Sequence, residues 1–164
     1  MILGMSLSTF TTFHVILSLV GIVSGLVVLF GMVGSKKMPG CTAIFLLTTV
    51  LTSATGFLFP RGPLLPSHFV GIVSLVILAV AIIALYVGKL VGSWRWVYVV
   101  TAVIALYLNV FVLVAQLFAK FEPLRKLAPT QSEPPFAIAQ GIVLLIYIWL
   151  CVKAVRQFHP APPR

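Results

Sequence analysis

Five long apolar runs limit what this chain can fold into more than any other feature of its sequence. The first extends from Phe10 to Val33 without a single Asp, Glu, Lys or Arg. A helix needs about 20 apolar residues to cross a hydrocarbon core of roughly 30 Å, and a backbone in lipid must satisfy its own hydrogen bonds. The sequence therefore predicts an all-α integral membrane bundle of five transmembrane helices. The predicted spans are residues 10–33, 41–59, 67–91, 96–119 and 136–152.

The composition predicts a single membrane domain that covers residues 1–164. The chain is 61% hydrophobic and 8% charged, with a mean hydropathy of +1.20. Soluble proteins average about 45–50% apolar and about 25% charged residues. Five spans and their links leave no room within this sequence for a soluble domain.

The basic residues set the predicted orientation. The chain has 11 Lys and Arg against 2 acidic residues, a formal net charge of +9. They lack the clustered basic face of a nucleic-acid-binding protein, so we expect no nucleic-acid partner. Basic residues near span ends collect on the inner side of a membrane. An N-out/C-in orientation places Lys36, Lys37, Lys89, Arg95, Lys153, Arg156 and Arg164 inside, and Arg61, Lys120, Arg125 and Lys126 outside.

Two proline-rich segments lie outside the predicted spans. Residues 120–135, KFEPLRKLAPTQSEPP, carry both acidic residues and prolines that exclude a continuous helix. We expect a short segment on the membrane surface there, with Glu133 and the neighbouring hydroxyls capping the last span. A lid over the polar groups beneath it is the alternative. The second segment, the proline-rich residues 158–164, is predicted to be a disordered tail.

Small and polar residues mark the predicted contact face of each span. Helices in lipid associate through small residues that let backbones approach and through polar groups that bond across the interface. On the first span, the spacing of Thr11, His14, Ser18, Gly21 and Gly25 puts all of them on one face. Gly21 and Gly25 form a GxxxG pair. We expect Gly21, Gly25 and Gly71 to be helix-packing positions.

Five strongly polar side chains within the spans are the candidate ligand-binding residues: His14, His68, Asn109, Gln116 and Gln140. Alternate spans run in opposite directions, so all of them except Asn109 fall in the half of the membrane that carries residues 120–135. Asn109 lies near the middle of its span. A buried polar group in a membrane needs a partner, and the convergence predicts a pocket on this side.

Several ligands are compatible with such a pocket. A quinone or another lipophilic molecule requires an apolar cleft with a few donors. Haem b is the second possibility, with His14 and His68 as axial ligands and with Gly21, Gly25 and Gly71 leaving room for a porphyrin. A zinc or copper site would need a third ligand, which the spans do not offer on this side. The sequence therefore predicts no metal site and makes no cofactor certain.

The sequence contains no recognisable catalytic motif, neither a Gly-rich phosphate loop nor HExxH nor GxSxG. We therefore expect no catalytic residues. A protein that is not an enzyme is favoured over an enzyme. The leading interpretation is a non-catalytic bundle or a subunit of a membrane complex, with the lipid bilayer, other membrane subunits or further copies of itself as partners. The alternatives are a redox protein that binds a lipophilic ligand, quinone or haem b, and a small transporter.

Two segments of the last third of the chain carry a resemblance. They are Leu108-Asn109-Val110-Phe111-Val112 and the stretch APTQSEPPF at residues 128–136. In these segments the chain resembles a family of small uncharacterised multi-span membrane proteins from proteobacteria. The resemblance implies a multi-pass protein of the bacterial inner (cytoplasmic) membrane and supplies no reaction, ligand or partner.

Overall fold

The computed structural model describes residues 2–60 and 66–161, and helices dominate this part of the chain. The helices are α1 (Leu7–Val33), α2 (Pro39–Gly56), α3 (Pro66–Ile82), α4 (Ser93–Lys120), α5 (Glu122–Leu127) and α6 (Pro134–Gln157). A π-helical turn at Ile83–Val87 continues α3. Five helices among the described residues, all but α5, are long and apolar enough to cross a membrane. The predicted all-helical architecture with five long apolar helices is confirmed.

The helix ends differ from the predicted spans where local chemistry overrides hydropathy. Proline occupies the first turn of α2, α5 and α6, where its missing N–H is not needed. α6 continues to Gln157, beyond the predicted end at 152, because Lys153 and Arg156 are compatible with a helix even though they are not apolar. α2 ends at Gly56, before the predicted 59, so Phe57 and Phe59 belong to the connection that follows it.

The π turn after α3 brings the chain against the start of α4. The N–H of Gly88 donates to the carbonyl of Ile83 at 2.8 Å, which widens the last turn by one residue. A Cβ added at Gly88 would lie 2.4 Å from the Trp94 ring. Glycine at this position therefore allows the α3–α4 connection to close tightly.

The apolar core fills the end of the bundle opposite to residues 120–135. α4 is central and packs against α1, α3 and α6, while α1 and α2 form the most extensive pair. Large side chains from four helices meet at this end, and the most completely buried are Leu29, Phe45, Leu78, Tyr98, Val99 and Leu106. The other end of the bundle contains most of the polar side chains.

The C-terminal tail is bound to this packed end. Phe158 is 2% exposed and lies against Tyr98, with ring centroids 6.3 Å apart. The Arg95 guanidinium donates to the carbonyls of Val155 and Phe158, both at 2.8 Å. The prediction of a disordered tail is wrong for residues 158–161. The buried Phe158 ring and the helix-end carbonyls that accept from Arg95 hold these residues in place despite their proline. Residues 162–164 lie outside the described part of the chain.

Residues 120–135 form a compact connection on the surface of the bundle. α5 carries an exposed ion pair between Lys126 and Glu122 at 2.9 Å. Glu133 occupies the N-cap position of α6, but its carboxylate accepts hydrogen bonds from the hydroxyl and N–H of Thr130 and from the N–H of Ser132. The expected cap of the last span is therefore a cap of the preceding turn. Desolvation raises the pKa of Glu133, but these hydrogen bonds together outweigh it and lower the pKa below its ordinary value.

Candidate functional site

A cavity of about 410 Å³ opens at the polar end of the bundle, between α1, α2, α3 and α4. Its volume lies within the range of roughly 300–1,000 Å³ that is typical of small-molecule sites. Apolar and aromatic groups alternate around its wall with polar side chains. The polar members are Thr11, His14, Ser18, Thr49, Thr52, Ser53, His68, Ser74, Asn109, Gln116 and Lys120. We call this space the polar cavity.

The rim of the polar cavity comes from helix ends. Leu7 and Lys120 line it from the start of α1 and the end of α4, and Phe57, Phe59 and Pro60 line it from the connection after α2. The lining includes no residue between 121 and 135. These residues instead pack against α4, where the Gln131 amide donates to the carbonyl of Ala115 at 2.7 Å. Apart from Lys120, residues 120–135 do not cover the polar cavity, so the alternative prediction of a lid formed by this segment is wrong for residues 121–135.

His14 is held on α1 by a bond to α2. Its Nδ1 lies 2.8 Å from the Thr55 hydroxyl. The hydroxyl proton of Thr55 is donated to the carbonyl of Leu51 at 2.7 Å, so the Thr55 oxygen accepts from His14 and the imidazole proton is on Nδ1. In the neutral ring Nε2 is then a hydrogen-bond acceptor. The edge-on Phe59 ring, 5.1 Å away, further fixes the imidazole.

Asn109 joins α4 to α1 at the floor of the polar cavity. The Ser18 hydroxyl donates to Asn109 Oδ1 at 2.9 Å, and Asn109 Nδ2 donates to the Ser18 carbonyl at the long distance of 3.5 Å. Asn109 is 8% exposed and therefore buried. A primary amide has two N–H donors, and this single long bond leaves Nδ2 with donor capacity at the cavity wall.

Thr49 contributes a buried hydroxyl with no hydrogen-bond partner among the described residues. The side chain is 1% exposed and lines the polar cavity. Most threonines of these helices satisfy the hydroxyl through a carbonyl three or four residues earlier, as Thr48 does with Ile44 at 2.6 Å. An unsatisfied buried polar group is uncommon in folded proteins and costs about 1–3 kcal/mol.

The sequence does not single out Thr49, because spacing equally places Thr48, Thr52 and Thr55 on one face of α2 in the neighbouring register. The residues of α2 that line the polar cavity are Thr49, Thr52, Ser53 and Gly56. Their spacing of three, one and three residues is also that of one helix face. The polar spacing alone could not separate the two registers, since α2 is rich in hydroxyls over its whole circumference.

His68 lies on the opposite wall of the polar cavity, near the start of α3. Its ring stacks on Phe57 with a centroid distance of 5.6 Å and an interplanar angle of 23°. Phe57 also contacts Gly71, where an added Cβ would lie 3.0 Å from the ring. Below them Ser53 donates to Ser74 at 3.2 Å and connects α2 to α3.

Gln116 and Lys120 are exposed and stand at the outer part of the polar cavity. Lys120 occupies the last turn of α4, where a cation is favoured by the helix dipole. Both side chains also line a second depression of about 360 Å³ on the outer surface between α1 and α4. The structure thus places His14, His68, Asn109 and Gln116 around one space.

Gln140 lies elsewhere. Its amide donates to the Phe111 carbonyl at 3.1 Å, which places it between α6 and α4, and its Oε1 is buried with no partner among the described residues. It is absent from the described lining of the polar cavity. The expectation that Gln140 joins the other four in one cavity is wrong, because α6 packs against α4 and α1 and contributes no residue to the described lining.

The three glycines of the predicted packing faces lie against side chains of neighbouring segments. A Cβ added at Gly25 would be 2.6 Å from Leu106 and 2.8 Å from Phe45, and one at Gly21 would be 3.1 Å from the Thr48 and Thr49 hydroxyls. The ring of Phe57 takes the space at Gly71. The glycines therefore do not leave the open space beside them that the haem alternative required.

The described residues contain no cluster of three or more His, Cys, Asp or Glu that could hold a metal ion. Cys41 and Cys151 are both free thiols at the packed end. No protein-family model, curated protein sequence or solved structure matches this chain. The geometry of the polar cavity is accordingly the main guide to function.

Proposed function

We propose that this chain is a multi-pass protein of the bacterial inner membrane, oriented N-out/C-in, that binds a lipophilic molecule by a polar head in the polar cavity. The five long apolar helices and the positions of the basic residues support the membrane part of the proposal. The cavity's position at one end of the bundle would place it toward the outer face.

The polar groups of the cavity wall are the observation that carries the ligand-binding part. The Asn109 amide has donor capacity there, and His14 Nε2 is an acceptor in the neutral ring. A head that both accepts and donates hydrogen bonds would satisfy these groups. The quinone and quinol pair has this chemistry, with carbonyl acceptors in one form and hydroxyl donors in the other.

The packed core supports a binding role more than transport. Leu29, Phe45 and Tyr98 are almost fully buried at the other end, so the described residues leave the polar cavity open on one side of the bundle. The chain contains no acidic residue within the long helices, and intramembrane ionisable groups are the usual marks of an ion path.

Extraction of co-purifying lipids tests the proposal. The protein is purified in mild detergent, and its bound quinones are quantified by mass spectrometry and by their ultraviolet spectrum. Asn109→Leu should reduce the retained quinone several-fold. Gln140→Leu is the matched control, since it removes another buried amide that joins two helices but lies outside the cavity.

Equal retention in both variants, or no quinone in the native protein, would contradict ligand binding. The chain would then be the non-catalytic bundle or membrane-complex subunit that the composition alone predicts. A blue native gel of solubilised membranes would distinguish those two roles by the size of the native assembly.

A further inference from the structure

The polar cavity adjoins the depression between α1 and α4. Six residues line both spaces: His14, Val15, Ser18, Val112, Gln116 and Lys120. The residues that line only the outer depression are apolar, namely Leu19, Leu113, Leu117 and Phe121. We call this outer depression the α1–α4 groove.

The groove exists because α1 and α4 are in close contact only below it. At Gly25 an added Cβ would lie 2.6 Å from Leu106, and at Ser18 the hydroxyl bonds directly to Asn109 at 2.9 Å. Beyond Asn109 the groove extends along α4 from Val112 to Phe121, about 14 Å at 1.5 Å per residue. The two helices are thus joined at their middle and separated toward the polar end.

The groove faces the surroundings of the bundle. Val15, Leu19 and Leu117 are 42%, 43% and 45% exposed. In a membrane this surface meets lipid chains, whereas the polar cavity behind it meets the head of the proposed ligand. A molecule with a polar head and an apolar chain matches this arrangement, with its head in the polar cavity and its chain in the α1–α4 groove.

Resting on the proposed function, we propose that the α1–α4 groove is the tail site and lateral entrance of the polar cavity. The ligand is a single-tailed lipophile that enters from the bilayer between α1 and α4. Its head reaches His14 and Asn109, and its chain remains between Leu19 and Leu117. Lys120, at the outer edge of both spaces, offers an ammonium donor to the head as it passes.

Two quinone probes with the same ring test the tail site. One carries a decyl chain and the other a methyl group, and binding is measured by quenching of tryptophan fluorescence in detergent. The groove variants are Leu19→Trp and Leu117→Trp, which fill the groove from its two walls. Leu145→Trp, at a 66% exposed position on α6, is the matched control. Each probe partitions into detergent to the same extent for every variant, so differences in apparent affinity between variants report binding to the protein.

The groove variants should weaken binding of the decyl quinone by about tenfold, equivalent to about 1.4 kcal/mol, and leave the methyl quinone within twofold. Asn109→Leu should weaken both probes. If the groove variants match the Leu145→Trp control for the decyl probe, the tail site is refuted while the head site stands. If neither probe binds the native protein, the proposed function fails and the tail site with it.

Discussion

Replacing Thr49 by valine separates the stability of the bundle from ligand binding. Valine has nearly the same shape as threonine, so the change removes one hydroxyl and leaves the packing around it. The hydroxyl is buried without a partner among the described residues. Its removal ends a desolvation cost and loses no bond within the described structure, so the ligand-free protein should become more stable.

The magnitudes follow from the cost of unsatisfied groups. A buried polar group without a partner costs about 1–3 kcal/mol in soluble proteins, and polar effects in membrane bundles are smaller because the reference state in lipid also finds partners. We expect a gain of about 1 kcal/mol in the free energy of unfolding without ligand. A quinone whose head bonds to this hydroxyl in the native protein should bind the Thr49→Val variant about fivefold more weakly, a loss of about 1 kcal/mol of binding energy.

Thr48→Val is the matched control for this prediction. Thr48 is the neighbouring buried threonine on α2, and its hydroxyl is donated to the carbonyl of Ile44 at 2.6 Å. Thr48 is also absent from the described lining of the polar cavity. Its replacement should leave the ligand-free protein equally or slightly less stable and should not change the affinity for quinone.

Equilibrium unfolding in mixed micelles, with and without the decyl quinone, measures both quantities. If Thr49→Val raises the free energy of unfolding without ligand but lowers the affinity for quinone, Thr49 is identified as a ligand contact. A loss of stability with unchanged affinity would refute the reasoning, since it would mean that the hydroxyl already has a structural partner.

Three further predictions concern other parts of the molecule. Gly25→Ala should destabilise the bundle by about 1–3 kcal/mol in unfolding experiments, because the new methyl overlaps side chains of α2 and α4. Gly141→Ala, which meets nothing within 4 Å, should be neutral or slightly stabilising. Arg95→Gln should release the tail, so that a protease cleaves residues 158–161 faster while thermal unfolding of the bundle changes little; equal cleavage would show that Arg95 is not needed to hold the tail. Because the folded pKa of Glu133 is lowered, the stabilisation that its carboxylate gives the turn is present above the ordinary value of 4.5 and is lost as pH falls through the lowered folded pKa. The protection of the Thr130 amide against hydrogen exchange, corrected for the intrinsic exchange rate at each pH, should therefore fall on acidification in the native protein but not in Glu133→Gln.

Hydropathy predicted the number of long helices, and the polar positions within the spans predicted four residues of the polar cavity. His14, His68, Asn109 and Gln116 could be placed at or toward one end simply from the alternating direction of the spans. Gln140 could not be assigned in this way. Its depth agrees with that of the others, but depth carries no information about which helices enclose a cavity. α6 packs against α4 and α1 and contributes no residue to the described lining.

The rim of the polar cavity shows why the exact site requires the folded structure. α2 ends at Gly56, and the following Phe57 and Phe59 turn toward His68 and His14 respectively. Had the helix continued to residue 59, as hydropathy predicts, the helical path would have fixed the directions of these rings. A helix end three residues earlier instead lets two aromatic rings form the wall of the cavity. The site thus depends on where α2 ends, whereas hydropathy reports only that these residues are apolar enough for lipid.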